Sequence, residues 1–230
     1  MSDPALSPVH AKTHRLIASR YPPVGIFDSV ATSADALEAM LLESLTNDRI
    51  NIPIQRLQLI PDHEIVFGQP GAHIIMASFL HADANGGRFT DSRLGAWYSS
   101  FEIETAIEET VHHHNRRLVL SDAGYRQTIQ MRELVTMIDE QFHDIRGLQR
   151  NRSELYRLDD YSQSQPFGEA LRAAGSNGIC YDSVRRTGGT NLVVYKPRLL
   201  LGHGQGDHYQ YQWTGTREPN IVRITNVERV

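Results

Sequence analysis

A fixed cation, an aromatic hydroxyl and a carboxylate follow one another within a short part of this sequence. Arg88 comes directly after Gly86 and Gly87, Tyr98 lies ten residues further on, and Glu109 lies eleven residues after that tyrosine. Glycines permit close approach of a ligand, and a guanidinium presents a planar fork to phosphate oxygens. This set of residues suits a site that holds an anionic ligand and stabilises a developing positive charge.

Each member of the set also has a simpler interpretation. The glycine–arginine turn is also typical of a hairpin with a surface arginine. Successive helix residues diverge by about 100°, so a cleft beside Tyr98 receives either Glu109 or its neighbour Glu108. The simpler alternative is that both carboxylates are solvated, as most glutamates are.

Two more candidates come from distant parts of the chain. If residues 14–18 form a strand, Arg15 and Ile17 share one face, and an arginine on an inward face is costly unless it pairs with an anion. Ser183 follows the run GICYD. The simpler interpretations are an exposed arginine on an edge strand and a serine that caps a turn.

The composition excludes several classes of function. The chain has 230 residues, a formal net charge of −4 and one cysteine, Cys180. The charge argues against a nucleic-acid-binding surface, and no apolar run approaches the roughly 18 residues of a membrane span. Cys180 lies in an apolar run, which predicts a buried thiol and no disulfide. We expect a soluble cytoplasmic protein without a membrane segment or direct nucleic-acid contact.

Three consecutive histidines are candidate metal ligands, but their spacing does not fit a single metal site. His112, His113 and His114 diverge by about 100° from one to the next on a helix, so they cannot share one ion. His203 and His208 could add ligands, but no HExxH motif or paired cysteines accompany them. We therefore predict no metal site.

The hydrophobic pattern predicts a mixture of helices and strands. Residues 1–13 are predicted to be a loose lead-in. Helices are predicted over 34–46 (capped by Thr32 or Ser33), 102–114 and 166–174 (stopped by Gly175). Strands or buried apolar runs are predicted over 52–60 and 73–80. Strands are predicted over 94–99, 125–137, 178–181, 191–195 and 208–213. Because no regular βαβ rhythm appears, we predict an α+β fold rather than a doubly wound sheet.

Together, these segments resemble the RES domain, the toxin half of a bacterial toxin–antitoxin family. The resemblance runs from HRLIASRYPPVGIFDSVA, through GGRF and ETAIEETVHH, to GICYDSVRRTGGTNLVVYKP. It covers most of the chain and rests on the order and spacing of the pieces. It predicts a single RES-like domain over 1–230, in which 34–80 is an inserted subdomain or a family-specific elaboration.

Five residues match the functional positions of that family. Arg15 matches its first arginine, Arg88 matches the arginine of a GGRW-type turn, and Tyr98 matches the tyrosine of the following strand. Glu109 matches the helix glutamate, and Ser183 matches the serine of a PS-type turn. By this resemblance Glu109, Arg88 and Ser183 are the expected catalytic residues. The expected NAD⁺-binding residues are Arg15, Arg88, Tyr98, Ser183, Gly87 and Tyr21.

The chain also departs from the family pattern. His14 stands where a tyrosine is common, Phe89 replaces a tryptophan, and Asp182 replaces a proline. Leu16 follows the first arginine where some members have a tyrosine. Tyr21 is the residue that could substitute for it.

The resemblance implies a compact mixed sheet with flanking helices, similar to that of ADP-ribosyltransferase toxins. It implies degradation of NAD⁺ at the nicotinamide–ribose bond, by hydrolysis or by phosphorolysis with inorganic phosphate as co-substrate. No cofactor is expected, because NAD⁺ is the substrate. The expected partner is an Xre-type antitoxin that covers the cleft, and a toxin homodimer fits within such a complex.

In this interpretation each residue contacts a different part of NAD⁺. Glu109 bonds the ribose hydroxyls and offsets the developing charge, while Arg15 and Arg88 clamp the pyrophosphate. Tyr98 packs against nicotinamide or ribose. Ser183 bonds the diphosphate, the ribose or the incoming nucleophile.

Two alternatives remain open at the level of the sequence. The first is a mono-ADP-ribosyltransferase that uses the same site to modify a cellular protein. The second is a non-catalytic partner-binding module in which these residues are structural.

Overall fold

The computed structural model describes residues 4–21, 25–44 and 51–224, which form seven strands and six helices. The strands are β1 (Leu6–Ala18), β2 (Trp97–Ser100), β3 (Thr128–Asp144), β4 (Gly178–Asp182), β5 (Thr190–Val194), β6 (Gly204–Gln212) and β7 (Asn220–Ile224). The helices are α1 (Ile26–Ser29), α2 (Ser33–Ser44), α3 (Asn51–Leu57), α4 (Ala72–Leu80), α5 (Ile103–Leu120) and α6 (Ser164–Ala173). Among these, no helix is both long and apolar enough to cross a membrane.

All of these strands belong to one mixed sheet. Its order is β1-β2-β5-β4-β3-β6-β7, and β1 also pairs with β3. The extra pairing closes β1, β2, β5, β4 and β3 into a ring, from which β6 and β7 extend. β3 and β4 run parallel, whereas the other strand pairs within the described residues are antiparallel. A mixed sheet with flanking helices confirms the predicted fold class.

Two apolar clusters hold the helices on this sheet. The larger cluster packs α4 against the sheet, with Phe79 and Trp97 completely buried. The smaller cluster joins α5 to β1 and β6, through Ala106, Leu16 and Tyr211. Burial of such side chains contributes about 1.5–3 kcal/mol each, so the second cluster fixes α5 against β1.

The prediction of a loose lead-in over residues 1–13 is wrong for the part that the structure describes. β1 begins at Leu6 and pairs with β3 along its whole length, as far as Ala18 opposite Met131. Val9 and Thr13 are 4% and 0% exposed. The sequence did not predict this part of β1 because Pro8 and the buried Thr13 interrupt the apolar alternation that is typical of a strand.

The strand interpretation of 52–60 and 73–80 is also wrong. Both regions are helical, in α3 and α4, although they are buried as expected. In α4, Ile75, Met76 and Phe79 are each at most 1% exposed. A short helix that is apolar on several faces lacks the periodicity that separates helix from strand.

The remaining helix predictions are confirmed, with shifted ends. The backbone N–H of Asp35 donates to Thr32 Oγ1 at 3.1 Å, which is the predicted cap of α2; the predicted end of that helix lies outside the described residues. α5 continues six residues beyond the predicted His114, to Leu120. α6 ends before Gly175, whose φ of +84° terminates the helix as predicted.

Candidate active site

A cavity of about 380 Å³ is lined by residues of β1, β2 and α5. β1 and β2 pair at one register position, His14 opposite Ser100, at the cavity wall. The predicted residues that line the cavity are Arg15, Tyr21, Gly87, Arg88, Tyr98 and Glu109. Ser183 lies behind Glu109. The structure therefore brings the predicted residues together from five separate parts of the chain.

The Glu109 carboxylate is held from one side by two uncharged donors. Ser183 Oγ and Asn191 Nδ2 each donate a hydrogen bond to Glu109 Oε1 at 2.7 Å. Glu109 Oε2 accepts no hydrogen bond from any residue that the structure describes. Glu108 is exposed, whereas Glu109 lines the cavity. One oxygen of Glu109 is thus fixed and the other remains available to a ligand.

Ser183 positions Glu109 and does not line the cavity itself. Its side chain is buried, with 5% exposure, and its Oγ accepts hydrogen bonds from the backbone N–H groups of Arg185 and Arg186 at 3.0 and 3.1 Å. The hydroxyl proton is directed at Glu109. This arrangement differs from the direct substrate contact expected of Ser183, because the hydroxyl is fully engaged within the turn after β4.

A second glutamate fixes the start of α5 to β5. Glu102 Oε2 accepts hydrogen bonds from Thr105 Oγ1 at 2.7 Å and from the Thr190 backbone N–H at 3.1 Å. Glu102 Oε1 accepts from Thr190 Oγ1 at 3.1 Å. Thr190 is adjacent to Asn191, so the same strand that holds Glu109 also anchors the helix that carries it.

Arg15 supplies a cation that lacks a carboxylate partner within the described part of the chain. Its guanidinium donates to the Tyr98 carbonyl oxygen at 2.8 Å and lies 4.9 Å from the ring centre of Trp97. Burial lowers the pKa of Arg15 to about 10, so the side chain remains charged at neutral pH. A half-buried cation whose contacts among the described residues are a carbonyl oxygen and a ring is suited to bind an anion.

Tyr98 is fixed by the glycine turn. Its hydroxyl accepts a hydrogen bond from the Phe89 backbone N–H at 3.0 Å and shares another with Thr90 Oγ1 at 3.1 Å. Burial raises the pKa of Tyr98 to about 12, so the phenol stays protonated. A Cβ on Gly87 would lie 2.6 Å from the Tyr98 hydroxyl. The glycine therefore makes room for Tyr98, beyond any role in ligand approach.

Arg88 hydrogen-bonds the protein itself, an arrangement that differs from its predicted role as an arm of a pyrophosphate clamp. Its Nη1 donates to the carbonyl oxygens of Leu155 and Arg157, at 3.1 and 2.7 Å, and its Nη2 donates to that of Leu158 at 3.3 Å. The guanidinium also lies 4.9 Å from the ring centre of Tyr161. Arg88 is 7% exposed, so it braces the segment that brings Tyr161 to the cavity wall.

Tyr21 lies at the edge of the cavity and is 47% exposed. The Arg20 guanidinium lies 5.3 Å from its ring centre and donates to its hydroxyl at 3.4 Å, a long hydrogen bond. That hydrogen bond lowers the pKa of Tyr21. The structure therefore leaves the Tyr21 side chain able to contact a ligand at the rim of the cavity.

Sequence reasoning missed Asn191, which is 1% exposed and is essential to the geometry. Asn191 accepts a hydrogen bond from Ser100 Oγ at 2.6 Å while its amide donates to Glu109. One signal was available: an asparagine inside the apolar strand TNLVV must find partners when buried. Which partners it finds depends on strand register, which the sequence does not reveal.

The three consecutive histidines face different surroundings, as the helical geometry predicts. His112 lies 3.3 Å from Asp159, His113 lines the cavity, and His114 packs against the rings of Tyr211 and Trp213. Over residues 4–21, 25–44 and 51–224, no group of three or more His, Cys, Asp or Glu side chains could hold a metal ion.

The arrangement combines an available oxygen of the Glu109 carboxylate with the Arg15 guanidinium, which has no carboxylate partner among the described residues, at the same cavity. The carboxylate can bond hydroxyl groups and stabilise positive charge, and the cation can bind an anionic group. The hydroxyl of Tyr98 is occupied, so its ring and the ring of Tyr161 offer apolar walls. These features fit a ligand that carries sugar hydroxyls and a phosphate-like anion.

Comparison with known proteins places this constellation in a family. The RES domain family model matches residues 63–214, a segment that contains Arg88, Tyr98, Glu109 and Ser183. The uncharacterized protein y4oC of Sinorhizobium fredii is 28% identical over 208 residues, which cover 89% of this chain and 84% of that protein. A chain in the crystal structure of the M. tuberculosis MbcT–MbcA toxin–antitoxin complex aligns with 11% identity and a TM-score of 0.48, covering 90% of this chain and 87% of that one. Since the family model spans more than half of the sequence and includes the residues around Glu109, the protein belongs to the RES domain family.

Proposed function

We propose that this protein is a toxin that cleaves the nicotinamide–ribose bond of NAD⁺ and is neutralised by an Xre-type antitoxin. The observation that carries the proposal is the Glu109 carboxylate at the cavity wall, held through Oε1 by Ser183 and Asn191. Membership of the RES family adds the expectation of NAD⁺ as substrate. NAD⁺ serves as a substrate in this proposal, not as a cofactor.

The chemistry of the bond fits these residues. When the C1′–N bond of the nicotinamide riboside breaks, the electron pair goes to the ring nitrogen and nicotinamide leaves as a neutral molecule. Positive charge then develops on the ribose, as in glycoside cleavage. A fixed carboxylate near that ribose contributes a few kcal/mol to stabilising the transition state. Glu109 supplies that carboxylate without a neutralising cation bonded to it.

Arg15 provides the anchor for the pyrophosphate in this proposal. Arg15 lines the same cavity and its guanidinium bonds one carbonyl oxygen, so most of its N–H donors remain for phosphate oxygens. Arg88 keeps Tyr161 at the wall rather than contacting phosphate. The binding energy of the pyrophosphate therefore falls mainly on Arg15.

The antitoxin completes the proposed biological role. A protein that destroys NAD⁺ in the cytoplasm arrests the cell that makes it, so a partner that blocks the cavity is required for growth. An antitoxin segment at the cavity rim would prevent NAD⁺ from entering. Co-expression with the cognate antitoxin should restore growth that the chain alone abolishes.

Nicotinamide release from NAD⁺ by the purified protein tests the proposed reaction. The assay is run with and without inorganic phosphate, and proton NMR identifies ADP-ribose or its 1-phosphate as the second product. We expect NAD⁺ to disappear with stoichiometric release of nicotinamide. NAD⁺ that persists in both buffers contradicts the proposal, and mass spectrometry of treated lysate then shows whether ADP-ribose has been transferred to a protein instead.

A further inference from the structure

A second polar pair, His14 and Glu133, lies at the wall of the same cavity and has no part in the reaction as described above. His14 lines the cavity, and its Nδ1 lies 2.5 Å from Glu133 Oε1. Glu133 is 5% exposed, and its Oε2 accepts a hydrogen bond from the Asp207 backbone N–H at 2.9 Å. A carboxylate bonded to one nitrogen of a histidine fixes the orientation of the ring and stabilises the imidazolium when it forms.

The backbone around Glu133 is shaped to admit its carboxylate. The register between β3 and β6 shifts between Arg132 and Leu134, so Glu133 lies at a bulge-like irregularity. A Cβ on Gly206 would come 2.4 Å from Glu133 Oε2. Bulges often redirect side chains next to active sites, and here the irregularity and the glycine together create the space for a buried acid.

Strand register places His14 on the same face as the residues that hold Glu109. His14 is opposite Ser100, Ser100 is opposite Asn191, and both partners line the cavity. Directly opposed residues point to the same side of a sheet, and strands lie about 4.8 Å apart. His14 therefore lies roughly 10 Å from Asn191, across one intervening strand.

The second nitrogen of His14 is free for a ligand. Nδ1 bonds Glu133, and Nε2 has no hydrogen-bond partner among the residues that the structure describes. We propose that His14 Nε2 accepts a proton from the attacking nucleophile, with Glu133 as its positioning residue. The acceptor is then water or another neutral hydroxyl compound. This inference rests on the proposed cleavage of NAD⁺.

In the proposed step, the oxygen of water forms a bond to C1′ of the ribose while the C1′–N bond breaks. The electron pair of the C1′–N bond remains on nicotinamide. One water proton moves to His14 Nε2, which leaves ADP-ribose and an imidazolium beside Glu133. The imidazolium later returns that proton to solvent. An anionic nucleophile such as azide has no proton to lose, so it does not need His14.

Other ionisable groups lie around His14. Glu133 on β3 bonds it, Asp207 on β6 bonds Glu133 in turn, and the ionisable residues that line the same cavity are Arg15, Tyr21, His81, Asp83, Arg88, Tyr98, Glu109, His113, His114, Arg117, Tyr161 and Tyr181. Since several of them titrate, the pH profile of the wild type alone does not identify His14. The difference between the profiles of wild type and variant does.

The chain provides a matched control pair on the same two strands. His10 Nδ1 lies 3.1 Å from Asp139 Oδ1, and these side chains are 75% and 80% exposed. His10 lies on β1, as His14 does, but its side chain faces solvent. His10→Gln therefore removes the same chemical groups without touching the cavity.

The test measures nicotinamide release by wild type, His14→Gln, Glu133→Gln and His10→Gln in phosphate-free buffer, with and without azide. For His14→Gln we expect hydrolysis to fall about 10²- to 10³-fold, while azide-dependent cleavage changes by less than about threefold. The KM for NAD⁺ should stay near the wild-type value, and the limb of the pH profile that requires a deprotonated base should disappear. His10→Gln should match wild type throughout.

Several outcomes overturn the inference. Hydrolysis by His14→Gln at the wild-type rate does so, as does an equal loss of hydrolysis and azide-dependent cleavage, which indicates a structural role. If His14→Gln does not fold, Glu133→Gln carries the test: an unchanged rate and pH profile in that variant contradict the assignment. If the wild type cleaves NAD⁺ only when phosphate is present, the inference that water is the acceptor is wrong, whereas the proposed cleavage of NAD⁺ stands. A wild type that leaves NAD⁺ intact overturns both.

Discussion

The charge of Glu109 is preserved because the side chains that hold it are uncharged. A lysine or arginine in the place of Ser183 or Asn191 would neutralise the carboxylate and weaken its effect on a positive transition state. A hydroxyl and an amide fix the same oxygen at 2.7 Å without opposing its charge. We therefore propose that Ser183 acts on the reaction through its hydrogen bond to Glu109.

Replacing Ser183 with alanine should separate catalysis from stability. The variant loses one donor to Glu109 and the acceptor for two backbone N–H groups, so we expect about 1–2 kcal/mol lower unfolding free energy. We also expect kcat for nicotinamide release to fall roughly tenfold, because the carboxylate is less well oriented. Denaturant unfolding and steady-state kinetics measure the two effects.

Ser176→Ala is the control for that experiment. Ser176 is also buried, and its Oγ bonds His143 Nδ1 at 2.8 Å and the Gly178 carbonyl oxygen at 3.1 Å, outside the cavity lining. It should lose comparable stability and keep full activity. Equal loss of activity in both variants would mean that Ser183 affects the reaction only through folding.

Single residues were partly predictable from the sequence. Helical geometry required a choice between Glu108 and Glu109, and the family spacing selected the one that lines the cavity. The bond from Ser183 to Glu109 was not predictable, since it joins residues that are 74 positions apart. His14 stood out only as a departure from the family pattern, because its partner Glu133 lies 119 positions away.

The segment that contains Tyr161 depends on Arg88 for its position. A short 3₁₀ turn at Ser153–Tyr156 is followed by irregular backbone up to α6, and carbonyl groups of that stretch accept from one guanidinium. The planar fork of arginine reaches several acceptors at once, whereas a lysine ammonium is a single point. Arg88 therefore acts on the site through this segment.

Arg88→Lys should destabilise the protein more than it weakens NAD⁺ binding. We expect the unfolding free energy to fall by about 2–3 kcal/mol, because buried carbonyl groups lose charged donors. The KM for NAD⁺ should rise by less than about fivefold. Arg15→Lys provides the comparison, with a larger rise in KM and a smaller loss of stability. The reverse pattern would restore Arg88 to the pyrophosphate clamp.

The elements that sequence analysis assigned correctly are those with a clear period or a clear cap. α5 and α6 show one polar and one apolar face, and Gly175 marks the end of α6. α3 and α4 were misassigned because they are only seven and nine residues long, and in α4 apolar residues also stand between the buried positions. The long strand β1 was partly missed because only its partner β3 shows which of its side chains are buried.

The whole molecule depends on a ring of strands whose members are far apart in sequence. β1 closes the ring by pairing with β3, and α5 packs across β1 through the smaller apolar cluster. His114 belongs to the face of α5 that meets this cluster, since it packs on the rings of Tyr211 and Trp213. Its burial lowers the pKa of His114 from 6.5 to about 4.

Folding should therefore weaken as the pH falls below about 6.5. Between pH 6.5 and about 4, His114 takes up a proton in the unfolded chain but not in the folded one. The stability that the folded protein gains from a neutral His114 is therefore complete above pH 6.5 and is lost as the pH falls toward 4. One such proton corresponds to a slope of up to about 1.4 kcal/mol per pH unit. Denaturant unfolding at several pH values measures the slope.

His114→Phe keeps a ring against Tyr211 and Trp213 but removes the titrating group. We expect a shallower slope in this variant, with a remainder from the other histidines whose pKa burial lowers, which are His73, His81, His112, His113 and His203. An unchanged slope would mean that His114 is protonated in the folded protein.

In the proposed reaction, the negative charge of Glu109 drives cleavage of the nicotinamide–ribose bond. Nicotinamide release by Glu109→Gln is compared with release by Glu108→Gln. Glutamine keeps a carbonyl oxygen for Ser183 and Asn191, so the variant removes the charge and preserves the hydrogen bonds. We expect release to fall at least about 10²-fold in Glu109→Gln and to stay within about twofold of wild type in Glu108→Gln. Release at the wild-type rate by a folded Glu109→Gln protein would mean that the reaction does not need this charge.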